Sequence, residues 1–483
     1  MQAVVLACGW ACLAILTPGV SARAALPPLI PRSVLFGNPE RQAPRLSPDG
    51  RRLAFVARSK AGVLNLWVRE LEDGRERVVT DDRAGDVFGP NWAPDGEHIL
   101  TIKQSQGDEN WHLYSIDVSS GIQRDLTPFS GTRAENVISD ARHPHELLVG
   151  LNLRDRRFSD MYRVNLETGA LTLDTRNPGD VTEWQVDSSL TIRGCVALDS
   201  LTANTILRVR DRASSPWRTL QVWPFLQAGN DRDQRLVSFS RDGRSLLVLS
   251  PLGSTTTRLL WLDARTGAPQ DSLPADPRAD VWCPFDFANA YSAAMVMLDP
   301  RSAAVQAYAV DPLVPEWKVV DAALRPDFEA LARLHDGHFV IVNRDVADRH
   351  WVVNTWTDVG SDRYYLWDRA AQKAELLFTT RPSLDQLTLA HQQPITIRAR
   401  DGLDIPCYLT LPPGVPATRL PLIMHPHGGP WARDEWGFDP EVQWLANRGY
   451  AVLQPQFRGS TGFGKAYVNA SIGEWGTERC RTT

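Results

Sequence analysis

Three things are missing or scarce in this sequence, and each shortage removes a class of function. Lys+Arg 52 and Asp+Glu 57 are spread along 483 residues for a net charge of −5, with no basic block. A protein that tracks a phosphate backbone needs such a block, so nucleic acid is not an expected partner. Cysteine occurs 6 times, and only Cys195, Cys283, Cys407 and Cys480 follow the first two dozen residues. Their spacings are wide and irregular, without a Cys-x-x-Cys, so neither a zinc site nor a dithiol redox pair is indicated. Export would permit disulfides, but the sequence does not choose a pairing, and lone buried thiols are the simpler reading. Beyond the first two dozen residues no apolar run is long enough to cross a bilayer, so no membrane span is expected.

What is present points to a folded, strand-rich chain. Hydrophobic residues make up 43%, with Gly 33, Pro 34 and Trp 17. Many turns would use the glycines and prolines, and face-to-face strands could use the tryptophans. The length suggests two domains. Val4 to Val20 is nearly all apolar or small, and Ala22-Arg23-Ala24 has the small-x-small form of a cleavage site. Residues 1–24 therefore read as a secretory signal and place the protein outside the cell or in a periplasm. No Lys or Arg precedes the run, so a membrane anchor and a lipoprotein site at Cys8 are the competing readings; the run is short for either.

One element recurs through the first 380 residues. Ser47-Pro48-Asp49-Gly50 is followed by the apolar run Leu53-Ala54-Phe55-Val56, Ala93-Pro94-Asp95-Gly96 by Ile99-Leu100, and Ser240-Arg241-Asp242-Gly243 by Leu246-Leu247-Val248. Weaker copies lie near 140, 187 and 335. Asp-Gly between apolar alternations is a hairpin signal, because Gly accepts positive φ and Asp bonds to the local backbone. A second run ends each unit, with Trp67, Tyr114, Tyr162, Trp261 and Tyr308 recurring at about 47 residues or its multiple. Units beginning near 44, 90, 137, 182, 236, 283 and 331, with about four short strands each, predict a β-propeller of about seven four-stranded blades over residues 32–385. Helical periodicity is nearly absent there, which argues against a helical solenoid. The recurring aromatics need be nothing more than core. His143 with His145 and His335 with His338 could each bind a metal, but they read as solvated loop histidines, so no metal or cofactor is expected.

From about Pro394 the pattern changes. Two alternating runs flank Asp401-Gly402 and predict an antiparallel hairpin. Leu420 to His425 reads as a short buried strand leading into Pro426-His427-Gly428-Gly429-Pro430. Asp439-Pro440 opens a helix and Gly449 ends it. Tyr450 to Pro455 is the next strand and delivers Gln456-Phe457-Arg458-Gly459-Ser460-Thr461-Gly462-Phe463-Gly464. Strand, glycine loop, helix, strand, glycine loop is α/β organisation, which places its sites at the carboxyl ends of parallel strands.

These two glycine loops, at this spacing and behind a propeller, resemble the prolyl oligopeptidase family of serine peptidases, in its acylaminoacyl-peptidase and dipeptidyl-aminopeptidase-like branch. The resemblance covers about residues 32 to 476 and is carried mainly by the two loops. It implies a serine peptidase acting on short peptides, with residues 386–483 forming the N-terminal part of an α/β-hydrolase domain. It implies that Gly428 and Gly429 form the oxyanion loop, with Gly429 the favoured backbone donor. It leaves His427 a loop-ordering role, since the base of this fold comes last in the chain. Arg458 is expected to brace the loops through a carboxylate or carbonyls, and Gly462 and Gly464 to set loop geometry.

The nucleophile elbow of the fold is Gly-x-Ser-x-Gly, and none occurs. Gly459-Ser460-Thr461-Gly462 fails the spacing. None of the catalytic Ser, Asp and His is expected among these residues; the reading is of a truncated hydrolase domain without activity. The alternative is a noncatalytic propeller that binds peptides or a partner protein; an esterase is a third reading that the propeller disfavours. The strand ending near His425 is expected to be a bare edge, and the chain beyond about 385 a protease-labile tail.

Overall fold

The computed structural model describes residues 25–60, 62–83, 89–104, 110–225, 234–283, 295–335, 338–429 and 431–474. The leader expected at 1–24, the Asp336-Gly337 turn, Pro430 and Cys480 lie outside the described residues.

Seven antiparallel sheets follow one another along the chain. The first is Arg41–Leu46, Arg52–Arg58, Leu64–Glu70 and Glu76–Val78, each strand paired with the next. The others occupy residues 91–125, 134–175, 181–223, 235–272, 296–319 and 338–379 with the same sequential order. The recurring turn explains the repetition. Gly50 takes φ 76° and donates to Ser47 O at 2.9 Å, while Asp49 accepts from Ser47 Oγ at 2.6 Å and Arg51 N at 3.0 Å. Ser240 to Gly243 repeats this geometry, with Gly243 at φ 67°. In both, the aspartate closes the turn and glycine supplies the left-handed residue.

Each sheet buries its faces against its neighbours. Ala54, Val56 and Leu66 of the first sheet pack on Ile99 and Ile116 of the second. Similar clusters join the second to the third, the third to the fourth and so on to the seventh. A last cluster joins the seventh back to the first, with Val352 and Phe378 against Leu46, Leu53 and Phe55. Asn343 reinforces that junction by exchanging two bonds with the Leu46 backbone, at 3.1 and 2.8 Å.

Three features differ from the sequence reading. The sixth sheet has three strands among the described residues. A helix, Arg325–Leu331, stands between the sixth and seventh sheets; Phe328 and Leu331 enter the core and Asp327 accepts from Trp367 Nε1 at 2.9 Å. It is two turns long, too short for periodicity to announce it. Trp67 and Trp261 are only partly buried, whereas Leu66, Val68, Leu260 and Leu262 beside them are buried. Tyr308 is buried in the core, and Trp67, Tyr162 and Trp261 pack against the core clusters from their margins.

The eighth sheet belongs to the second region. Its order is Gln392–Arg398, Asp404–Thr410, Ala451–Pro455, Leu422–Met424, and only the last pair is parallel. The helix Pro440–Ala446 connects the parallel strands; Asp439 caps it, accepting from Glu441 N at 2.8 Å and Val442 N at 2.9 Å. Leu422–Met424 is the sheet edge, with Leu422 55% and Met424 49% exposed.

The second region is joined to the rest by buried polar bonds. Ile30 N and Pro28 O bond to Asn447, so residues 28–35 pack beside the connecting helix. Gln443 bonds Asp358 O and Ala390 O, and Tyr408 OH donates to Leu313 O at 2.5 Å. No described helix is long and apolar enough to cross a membrane.

Candidate functional site

Both glycine loops leave the same end of the parallel strand pair. His425 N donates to Leu453 O at 2.8 Å, continuing the pairing one residue past the strand before the first loop begins. Gly428 and Gly429 are exposed. A Cβ at Gly428 would meet no atom within 4 Å; at Gly429, φ 150°, it would lie 3.1 Å from Trp431 N. Among the described residues neither glycine N–H has an acceptor. The corner thus offers unhindered backbone donors to an incoming oxygen, which is what acyl transfer requires of an oxyanion site.

His427 holds the corner against the second loop. Its Nε2 lies 2.8 Å from Ser460 Oγ and its Nδ1 2.6 Å from Gly428 O, and its ring stacks on Phe457 at 4.3 Å. Burial lowers the imidazole pKa, with the Gly428 carbonyl opposing. A neutral ring whose Nδ1–H donates to Gly428 O accepts at Nε2 from Ser460 Oγ, and the single hydroxyl proton of Ser460 is then shared in turn between His427 and Phe457 O. The pair superficially resembles a serine–histidine dyad. Ser460 is fully buried, its Oγ also reaches Phe457 O at 2.7 Å, and His427 Nδ1 faces a carbonyl in place of an orienting carboxylate. Such a serine cannot meet a substrate carbonyl.

Arg458 is buried, and its Nη1 donates to Asp401 Oδ2 at 2.8 Å, tying the second loop to the hairpin turn. That bond holds the Asp401 carboxyl below its ordinary pKa. Gly462 and Gly464 take φ 89° and 84°. A Cβ at Gly462 would fall 2.4 Å from Arg433 Nη1, and one at Gly464 2.7 Å from Thr255 O, so both positions exclude side chains.

Several residues that organise the site were given no role by the sequence. Arg433 donates to Asp311 O at 2.9 Å, pairs with Asp311 Oδ2 at 3.2 Å and lies over the Phe463 ring at 4.6 Å. Burial opposes its charge, but Asp311, Tyr408 and Glu435 outweigh that and raise its pKa. Burial also raises Asp311, against the pull of Arg433. Gln456 and Asp434 exchange two bonds between the loops, at 3.0 and 2.7 Å. Asp280 accepts from Thr257 N at 2.6 Å and from Gly464 N at 2.8 Å. Local sequence patterns do not join positions more than a hundred residues apart.

The histidine pairs separate. His145 lies 3.1 Å from Glu167 at the surface. His338, read as solvated, instead sits on the first strand of the seventh sheet, edge-on to Trp436 at 4.8 Å, and burial lowers its pKa. That is a correction, and its cause is the second region packing over the strand. A cavity of ≈ 800 Å³ opens beside it, lined by Asp358, His391 and Trp436 among others, away from the glycine corner. No group of three or more potential metal ligands occurs among the described residues. Cys195 and Cys407 are buried free thiols, pushed up to about 12 and about 11.

Comparison with known proteins bears on the family and the fold of the chain. The profile described as the prolyl oligopeptidase family matches residues 436–481. Dipeptidyl aminopeptidase BIII of Pseudoxanthomonas mexicana is 36% identical over 466 residues, 95% of this chain and 65% of that protein. Dipeptidyl peptidase family member 6 of Caenorhabditis elegans is 28% identical over 482 residues, 93% of this chain and 63% of its own length. The chain thus spans a little under two thirds of these relatives. A puromycin hydrolase crystal structure superposes with TM-score 0.65 at 19% identity, covering 95% of this chain and 73% of that one. A prolyl endopeptidase structure gives TM-score 0.68 at 14% identity, covering 94% and 68%. At such identities the likeness is one of fold: successive β-sheets followed by a hydrolase-like region.

Proposed function

Since the chain belongs to the prolyl oligopeptidase superfamily of peptidases, we propose that it is the propeller and leading hydrolase portion of an exported serine peptidase for short peptides, of the dipeptidyl or acylaminoacyl type. The observation that carries this reading is the open Gly428–Gly429 corner at the end of a parallel strand pair. In the proposal, residues 32–385 form a closed propeller of about seven blades, a reading supported by the cluster that joins the seventh sheet to the first. Gly429 N–H, with Gly428 beside it, binds the oxygen on which charge develops; His427 and Arg458 order the loops, and Gly462 and Gly464 let them approach. Export through residues 1–24 is part of the same proposal.

These 483 residues hold no Gly-x-Ser-x-Gly. The polypeptide they form is therefore proposed to lack peptidase activity by itself, because an oxyanion corner without nucleophile and base supplies only part of the barrier reduction. Incubation with dipeptidyl and acylaminoacyl p-nitroanilides should release no product, and a serine-reactive phosphonate should leave the chain unlabelled; turnover with labelling would reject this. The peptidase ancestry is tested by joining the chain to the remaining third of the Pseudoxanthomonas relative. The chimera should hydrolyse dipeptidyl p-nitroanilides, and Gly429→Ala, whose Cβ would crowd Trp431 N in a backbone conformation that side chains rarely adopt, should lower kcat by displacing the N–H donor. A folded but inert chimera would reject the assignment. A second reading is a noncatalytic propeller that binds peptides; tight peptide binding by the 483-residue chain would support it.

A further inference from the structure

The second glycine loop does not rest on its own region alone. Gly464 N donates to Asp280 Oδ2 at 2.8 Å, and Asp280 N donates back to Gly462 O at 2.9 Å. Lys465 N donates to Thr255 O at 3.2 Å. Asp280 is 3% exposed, and its other oxygen takes Thr257 N at 2.6 Å, so the carboxylate is fixed from behind by the fifth sheet. From the held loop the bonds run onward: Thr461 N donates to Ala432 O at 3.0 Å, and Ser460 contacts His427 at 2.8 Å. His427 in turn contacts the Gly428 carbonyl. A continuous bonded path therefore leads from a carboxylate beside the seven-sheet region to the glycine corner.

We propose that Asp280 is a positioning residue that sets the geometry of the Gly428–Gly429 corner across the boundary between the two regions. Two features argue that the carboxylate acts as more than filler. A buried carboxylate is costly unless its oxygens are satisfied, and here backbone N–H groups from each side of the boundary satisfy one oxygen each. A Cβ at Gly464 would fall 2.7 Å from Thr255 O, on the seven-sheet side of the boundary, so the loop reaches this anchor closely only with glycine there. The consequence is a corner assembled only while the regions are docked. The inference deepens the peptidase reading and rests on it for its chemical meaning.

The test uses the whole chain and needs no turnover. Asp280→Asn keeps the size but presents one N–H₂ group to a backbone N–H, so one of the two amides loses its acceptor. Amide hydrogen exchange should rise at least ~10-fold at Gly464 or Thr257 and also at Thr461. The His427 imidazole, followed by NMR, should lose its lowered pKa and move toward the ordinary value, whereas protection in the first to third sheets should not change. Faster exchange at Gly464 with an unaltered His427 titration would overturn the proposal and leave Asp280 a local clamp. Should the variant not fold, native-state exchange of the unmutated chain in rising denaturant decides. Thr257, Thr461 and Gly464 amides opening in one step with a simultaneous His427 shift supports the proposal; separate openings reject it. An inert chimera with intact coupling rejects only the peptidase reading, and an active chimera without coupling rejects only this one.

Discussion

The two regions of this molecule are held together by different physics. In the first, apolar clusters such as Ala54, Val56 and Leu66 with Ile99 and Ile116 join each sheet to the next, and contacts between neighbours recur seven times. In the second, one mixed sheet ends in an exposed strand, and polar bonds reach back to the first region through Arg433, Tyr408, Gln443 and Asp280. Repeated apolar burial tolerates local damage, because each junction is one of several. The second region is docked by the apolar cluster of Ile30, Leu35 and Trp444 and by buried polar groups, and any polar group whose partner is removed keeps its desolvation cost. Whether the chain beyond about residue 385 behaves as a labile tail then depends on how firmly these contacts hold the second region.

The sharpest way to break this contrast is Arg433→Met. It strands the Asp311 carboxylate, which is 1% exposed, and loses the contact over Phe463. Removing one partner of a buried ion pair costs about 3–5 kcal/mol. In urea, fluorescence and limited proteolysis should show the second region released early, with the midpoint of the seven-sheet region retained. A single unshifted transition would show that the polar contacts do not carry the docking. The complementary change is Leu66→Ala, fully buried between the first and second sheets. It should cost about 2–5 kcal/mol in the main transition and leave the release of the second region where it was. If both variants move the same transition equally, the two regions unfold as one unit and the comparison fails.

A smaller effect concerns pH. Burial, then Asp439, raise the Asp434 carboxyl to about 6, against His425 and Arg433. Its folded pKa lies above the unfolded value, so the folded state holds the proton longer. Its contribution is most favourable below about pH 4 and is lost as the pH climbs to about 6. Asp434→Asn should remove that decline and flatten the release curve of the second region between those values. An unchanged slope would mean that another group titrates there.

The same division decides how much was legible. The turn at Ser47 to Gly50 and its copies announced themselves because hairpin chemistry is local: an aspartate, a glycine and an apolar run fall within ten residues. The glycine corner and the helix after Asp439 were legible for the same reason. The roles of Asp280, Arg433 and Gln456 were not, since their meaning lies in partners brought near by tertiary packing, even where the residue itself sat in a legible glycine loop. His338 shows the cost of that blindness, as its burial comes from Trp436 nearly one hundred residues away. The helix Arg325–Leu331 was lost because two turns give periodicity too few residues to register.

The smallest energetic change tests the edge. Among the described residues Leu422–Met424 pairs on one side only, with Ala451–Pro455, and Met424 is 49% exposed. An uncovered apolar edge is a template for a second chain, and a charge there discourages pairing. Met424→Lys should alter unfolding by less than about 0.5 kcal/mol, as exposed substitutions usually do. Light scattering at raised concentration should nevertheless fall clearly, whereas the same substitution at Leu201, exposed on the fourth sheet, should not reduce it. If both lysines act alike, association follows net charge. If only the one at 424 acts, it follows the unpaired strand, and the second region is the part of the molecule whose surface still seeks a neighbour.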